Sequence, residues 1–288
     1  MAVMEQRGIE FMRRAGCQSI AQLRQKDAWE LFDLYEEFAS ENGGMPHAFS
    51  FCVDGAFLPK PYEEMIDNGE FNDFDVMIGS CAQEFPCVDA ASFTTEAYQQ
   101  WLAEEFPENL ENMRRWYPAS TGSQAAKQVS TIASDIMLMG SIRLAQKCRD
   151  YGHRAYVWLM SKENETPRGH AEGCPHCGEM PYVFGTVDRG ERSPFFEYIW
   201  QKEDYAFMEL IQGYWSSYAA TGDPNGGRRP EWKTYRSDFD VDLLCNQTHM
   251  LPSDQMEKYP YFMEKLTRSS YAVGIRCLPR FTPKEGKE

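Results

Sequence analysis

The sequence predicts an α/β fold in which an incomplete, mostly parallel sheet is flanked by helices. Two short apolar runs, residues 74–79 and 155–160, show no polar alternation, the signature of strands buried on both faces as in parallel sheets. Stretches with apolar residues at helical spacing lie before, between and after these runs. Strands alternating with helices make layered α/β architecture the expected class. Two to four strand candidates are few for 288 residues, so the sheet is expected to be incomplete.

Residues 1–40 read as helical, through Ile9, Phe11, Met12 and Ala15, then Ile20, Leu23, Trp29, Leu31 and Leu34. Gly16 breaks that stretch and Ser19 is placed to cap its second part. Gly43, Gly44 and Pro46 end it, and residues 49–53 form a short extended piece turned by Asp54-Gly55. After the first strand, residues 94–117 are amphipathic with a break at Pro107. Residues 124–150 form a long helix whose apolar face carries Ile132, Ile136, Met139, Ile142, Leu144 and Ala145. Tyr151-Gly152 turn the chain into the second strand. A polar loop follows, then Gly173-Cys174-Pro175-His176-Cys177-Gly178, and an extended stretch behind it. Residues 203–221 form an aromatic-rich helix, stopped by Gly222 and Pro224. Its Phe207, Tyr214, Trp215 and Tyr218 are expected in the core. A short extended piece at 248–251 and a helix at 255–266 precede a frayed tail.

The net charge of −15 disfavours nucleic acid as a partner, because phosphate recognition needs a surplus of Lys and Arg. No run of about 18 apolar residues suggests a membrane span. Residues 1–30 carry Glu5, Arg7, Glu10, Arg13 and Arg14 and lack a signal-peptide core. Nine cysteines, odd in number and irregularly spaced, fit reduced thiols and a cytoplasmic location. No motif calls for a cofactor or a resident metal.

Two loops, each following a buried strand, hold groups suited to acid–base chemistry. One runs Ser80-Cys81-Ala82-Gln83-Glu84 and the other Gly173 through Glu179. Ligands of open α/β sheets bind outside the carboxyl ends of the strands, so an acid and an imidazole on such loops can meet there. A carboxylate beside an imidazole fixes its tautomer and stabilises the imidazolium of a hydrolase triad. The chain order, acid before histidine, is the order of α/β-hydrolases.

These residues resemble the type-B carboxylesterases. Val76-Met77-Ile78-Gly79 followed by Glu84 is similar to that family's strand and acid loop, and His176 through Gly185 to its histidine loop. Asp54-Gly55-x-Phe57-Leu58-Pro59, Thr221-Gly222-Asp223-Pro224-Asn225 and Pro230-Glu231-Trp232 with Tyr235 resemble further family turns, in family order. The matches run over roughly residues 8–240 and correspond to about the C-terminal half of a family member. The resemblance implies that residues 1–288 are the C-terminal part of an α/β-hydrolase domain, with Glu84 as triad acid and His176 as triad histidine. The family's Gly-x-Ser-x-Gly elbow is not found in this sequence. The implied function is a carboxylic-ester hydrolase portion, inactive without an N-terminal half that brings the serine and completes a site for a small ester. Two departures crowd the implied catalytic groups: Phe85 stands where the family has a glycine after the acid, and Cys177 where a glycine follows the histidine.

Two other readings stay open. One is a catalytically dead, esterase-like binding module. The other is a thiol–disulfide or zinc site at Cys174 and Cys177, although a structural zinc needs four ligands and no second Cys-x-x-Cys exists. An incomplete sheet also leaves a strand edge unpaired, so self-association through that edge is expected.

Overall fold

The computed structural model describes residues 2–42, 48–49, 51–84, 93–167, 169–170, 173–187, 198–236, 242–244, 249–250 and 257–268. The chain forms two compact units, Met1–Glu70 and Phe71–Glu288.

The first unit holds α1 (Ala2–Arg14), α2 (Ile20–Leu23), α3 (Ala28–Glu41) and α4 (Tyr62–Asp67). Gly16 ends α1 with a left-handed φ of 66°. The hydroxyl of Ser19 caps α2 by accepting from the Gln22 amide at 3.2 Å. The predicted single stretch has a further break at Asp27, whose Oδ1 accepts from the amides of Trp29 and Glu30 at 2.9 and 3.2 Å and so starts α3. Phe11, Phe38, Ala39 and Ala48 form a small core, with the Phe11 and Phe38 rings edge to face at 5.5 Å. Periodicity does not decide burial here: Ile9, Ile20 and Trp29 are exposed, Trp29 at 74%. The expected extended piece at 49–53 joins no strand among the described residues. Phe49 instead stacks on Phe38 at 5.5 Å. The Asp54-Gly55 turn forms as expected, with both amides donating to the Leu58 carbonyl.

The second unit is built on β1 (Val76–Cys81) and β2 (Ala155–Met160), parallel and paired from Val76↔Ala155 to Cys81↔Met160. A parallel pair needs a long crossover. It is supplied by α5 (Thr95–Glu105), a 3₁₀ turn at Pro107–Asn109, α6 (Leu110–Trp116) and α7 (Gly122–Asp150). Thr121 caps α7 through its hydroxyl. Beyond β2 come a small antiparallel ribbon, β3 (Glu165–Thr166) with β4 (Gly169–His170), then the helical turn α8 (Met180–Val183) and the helix α9 (Lys202–Thr221). The stretch behind His176 that the sequence suggested as extended is therefore helical. Pro181 does not prevent this, because it occupies the first turn, where no amide donor is needed. β5 (Asp242–Leu244), which no sequence pattern announced, lies parallel to β2, and β6 (His249–Met250) returns antiparallel to β5. The sheet order is β1-β2-β5-β6. The last described helix is α10 (Lys258–Arg268).

Residues of alternate parity face opposite layers. Val76, Ile78, Ala155, Val157 and Leu159 pack with Val129, Ile132, Ile136, Met139 and Ile142 of α7. Met77, Cys81, Tyr156, Trp158 and Met160 pack with Phe207, Ile211, Tyr214 and Trp215 of α9. Both faces are covered, which is why the strands read as continuous apolar runs. Gly79 is required by contact: a Cβ there would sit 2.0 Å from the Trp158 carbonyl oxygen and 2.3 Å from its indole. The aromatic helix lies in the core as expected, with Phe207 and Tyr214 buried.

Asp75 and Arg154, the residues preceding the two strands, close the amino end of the pair. The Arg154 amide donates to Asp75 Oδ1 at 2.7 Å and its guanidinium holds Oδ2 at 2.7 Å. Partial burial disfavours the Asp75 carboxylate, but the Arg154 amide and guanidinium outweigh it and hold its pKa below the usual range. A lowered carboxylate pKa contributes stability that is complete above the unfolded value and lost as pH falls through the folded one. Asp75→Asn is therefore expected to cost about 1 kcal/mol at neutral pH. The gap to wild type should close below about pH 4, as followed by urea denaturation across pH.

Candidate active site

The acid loop leaves β1 at the edge where β2 also ends. The Ala82 amide still donates to the Met160 carbonyl at 2.8 Å, but the Gln83 amide donates to the Cys174 carbonyl at 2.9 Å. One residue thus transfers the chain from the sheet to the histidine segment, and a parallel bridge of Gln83 with Pro175 fixes the two loops side by side. Glu84 follows, 5% exposed. Its Oε1 accepts from the Cys81 amide at 2.6 Å, so the carboxylate folds back over the strand end. Its own amide donates to Ser134 Oγ at 2.7 Å, and that hydroxyl donates to the Ser130 carbonyl within α7 at 2.9 Å. Helix α7 therefore holds the acid loop from below.

His176 sits in a turn closed by the Gly178 amide on the Pro175 carbonyl at 2.8 Å. Its Nδ1 lies 2.6 Å from Glu84 Oε2. The histidine side chain is 52% exposed, whereas that of Glu84 is 7% exposed. An ionised carboxylate only accepts, so it selects the tautomer with hydrogen on Nδ1 and places the basic lone pair on Nε2. The pair can thus pass a proton at Nε2 while Glu84 steadies the charged ring. The two residues singled out in the sequence are brought into direct contact. Phe85 lies outside the described residues.

Cys177 has φ of 63°, the left-handed region, and is the one non-glycine residue in it among those described. Gly178 meets a different demand: a Cβ there would lie 2.5 Å from Cys174 Sγ and 2.8 Å from the Pro175 carbonyl oxygen. The glycine follows the histidine by two places because packing needs it there, and the backbone strain falls on Cys177.

A buried network that sequence reasoning missed anchors α8 behind the histidine. Lys162 Nζ pairs with Asp204 Oδ1 at 2.6 Å, with side-chain exposures of 5% and 2%. The Tyr182 hydroxyl donates to Asp204 Oδ1 at 3.2 Å and accepts from Asn164 Nδ2. Asp204 Oδ2 also accepts from the Gln201 amide at 2.7 Å, which starts α9. Ser134 was missed as well. Only the Gln201–Asp204 spacing carried a sequence signal, that of a capping box.

Cys81, Cys174 and Cys177 are free thiols. Contact with the Cys174 thiol, then burial and the carboxylates of Glu179 and Glu84, push the Cys81 thiol pKa up. Among the described residues no group of three or more His, Cys, Asp or Glu is placed to hold a metal ion, and no helix is long and apolar enough to cross a membrane.

A family model described as the carboxylesterase family matches residues 3–259. Phenmedipham hydrolase of Pseudarthrobacter oxydans is 24% identical over 204 residues, covering 68% of this chain and 40% of that protein. Human neuroligin-2 is 24% identical over 241 residues, covering 74% of this chain and 28% of its own. Bovine carboxylesterase 4A is 25% identical over 216 residues, covering 71% and 38%. The chain spans between 28% and 40% of the length of these curated relatives.

A residue with a Cβ in the left-handed region costs about 1–2 kcal/mol, partly offset by the greater unfolded-state freedom of glycine. Cys177→Gly should therefore raise stability by about 0.5–1 kcal/mol, seen as a higher urea midpoint with unchanged slope.

Proposed function

The chain belongs to the carboxylesterase family, and from that premise we propose that it supplies the acid and base of a Ser-His-Glu triad acting on carboxylic esters. The observation that carries this reading is the 2.6 Å contact of His176 Nδ1 with a buried Glu84 at the carboxyl ends of parallel strands. The serine comes from an N-terminal half bearing Gly-x-Ser-x-Gly, a motif absent from these 288 residues. Residues 1–288 then form the C-terminal part of an α/β-hydrolase domain.

In this scheme the serine oxygen attacks the acyl carbon of a small ester while His176 Nε2 takes its proton. Glu84 holds the ring and balances the imidazolium. The tetrahedral intermediate collapses, His176 returns the proton to the leaving alkoxide, and the same base activates water to release the acid. The hydrolase and carboxylesterase names among the relatives support the reaction class.

The proposal is tested by p-nitrophenyl ester hydrolysis, using the chain by itself and mixed with an N-terminal half carrying the elbow. Turnover is expected from the mixture only, and His176→Ala should lower it about a thousandfold or more. Turnover that survives His176→Ala overturns the assignment. No turnover from a folded mixture favours the second reading, a catalytically dead binding module, for which the strained Cys177 beside His176 is the supporting observation.

The sheet also bears on self-association. β1 pairs with β2 along one edge and has no strand on its other edge among the described residues. Such an edge offers unsatisfied amides and carbonyls to a second copy. Sedimentation velocity should show dimers or larger species with apolar dye binding, and a dye-silent monomer would rule this out.

A further inference from the structure

We propose that Cys81 and Cys174 form a reversible disulfide, made by exchange with a low-molecular-weight disulfide, that ties the acid loop to the histidine loop. Both thiols are 1% exposed and unbridged. Their backbones are neighbours, joined by the Gln83 amide on the Cys174 carbonyl at 2.9 Å and by the Gln83–Pro175 bridge. Both side chains lie in one buried cluster, Cys174 Sγ against Gly178 and Cys81 Sγ donating to the neighbouring Glu179 Oε2 at 3.1 Å.

Cys177 gives solvent access to this buried pair, being less buried than either partner and three residues from Cys174. Its thiolate attacks the small disulfide RSSR, forming a mixed disulfide, and the displaced thiolate takes up the Cys177 proton and leaves as RSH. Cys174 then attacks the Cys177 sulfur and expels the second R group, which leaves as RSH with the Cys174 proton. Cys81, passing its proton to Glu179, attacks the Cys174 sulfur; Cys177 leaves as a thiolate and is reprotonated from Glu179. Two protein thiols are oxidised by two electrons and RSSR is reduced to two RSH. The Cys174 thiol, then burial and the carboxylates of Glu179 and Glu84, push the Cys81 thiol pKa up, and burial with the same carboxylates pushes up that of Cys177, so exchange is slow in both directions.

The Cys81 amide holds Glu84 Oε1, and closing the disulfide removes the Cys81 contact to Glu179. The bond therefore acts on the geometry of the acid. This consequence rests on the triad reading; the bond itself does not.

The test equilibrates the full chain with oxidised and reduced glutathione at several ratios, quenches in acid, alkylates in denaturant and maps non-reduced peptides by mass spectrometry. The expected product links the Cys81 and Cys174 peptides, is lighter by two hydrogens than their sum, separates on reduction, and leaves Cys177 alkylated. Cys177→Ser should slow its formation about tenfold without changing the product. Alkylated Cys81 at every ratio, or a bond confined to Cys174 and Cys177, overturns the proposal, and an unchanged rate in Cys177→Ser overturns the relay. Ester hydrolysis does not enter this readout, so the two proposals fail separately.

Discussion

Everything at the site depends on the parallel, in-register pairing of β1 with β2. Two strands that run the same way and start together also end together, at Cys81 and Met160. Their loops must then leave from one edge, with Glu84 on one and, beyond the β3–β4 ribbon, His176 on the other. The pairing tolerates no side chain at Gly79, because the Trp158 backbone and indole occupy that space. An antiparallel pairing would have put the two loops at opposite ends of the sheet, and no rearrangement of loops would then bring acid and imidazole into contact.

The supports of the dyad are polar groups removed from water. Glu84 is buried but not isolated: the Cys81 amide and the His176 ring each hold one of its oxygens. Lys162 and Asp204 form a buried pair with Tyr182 and Asn164 completing the hydrogen bonds. Lys258 and Asp135 form another, 2.6 Å apart, joining α10 to α7. Such pairs add little net stability, since desolvation consumes most of the Coulomb gain. Removing one partner strands the other, so they act mainly by fixing where the elements sit. The lysine–aspartate pair at Asp204 fixes α8, and with it the segment that follows His176.

The cysteines show how packing redistributes a local pattern. In sequence Cys174 and Cys177 invite pairing with each other. In the folded chain Cys174 turns into the buried cluster that also holds Cys81, against Gly178, whereas Cys177 stays nearer the surface in a strained backbone conformation. The helical turn that follows Cys177 has only four residues, too short to lend much dipole to a thiolate. Sequence spacing counts residues, but thiol chemistry depends on which sulfur atoms share a pocket.

The sequence by itself determined the class and most of the elements. The two apolar runs became β1 and β2, the second with unchanged limits, because strands covered on both faces leave no room for polar residues. Pro107, Gly222 and Pro224 marked helix ends through backbone chemistry that acts locally. The acid and the histidine were legible because each follows a strand with a characteristic neighbourhood. What only the tertiary structure decided was non-local. β5 is three residues long and paired through β2, so no periodicity could announce it. Met180–Val183 formed a helical turn where extended chain was expected, held by the Tyr182 network. Trp29 and Ile20 remained exposed although their spacing suited a core, because periodicity says which residues share a face and not what covers that face. Ser134, which accepts from the Glu84 amide, came into reach only when α7 packed under the strand end, whereas the Cys81 amide is a local partner three residues away. Contacts between distant segments are set by packing, and one chain's order of residues does not encode them directly.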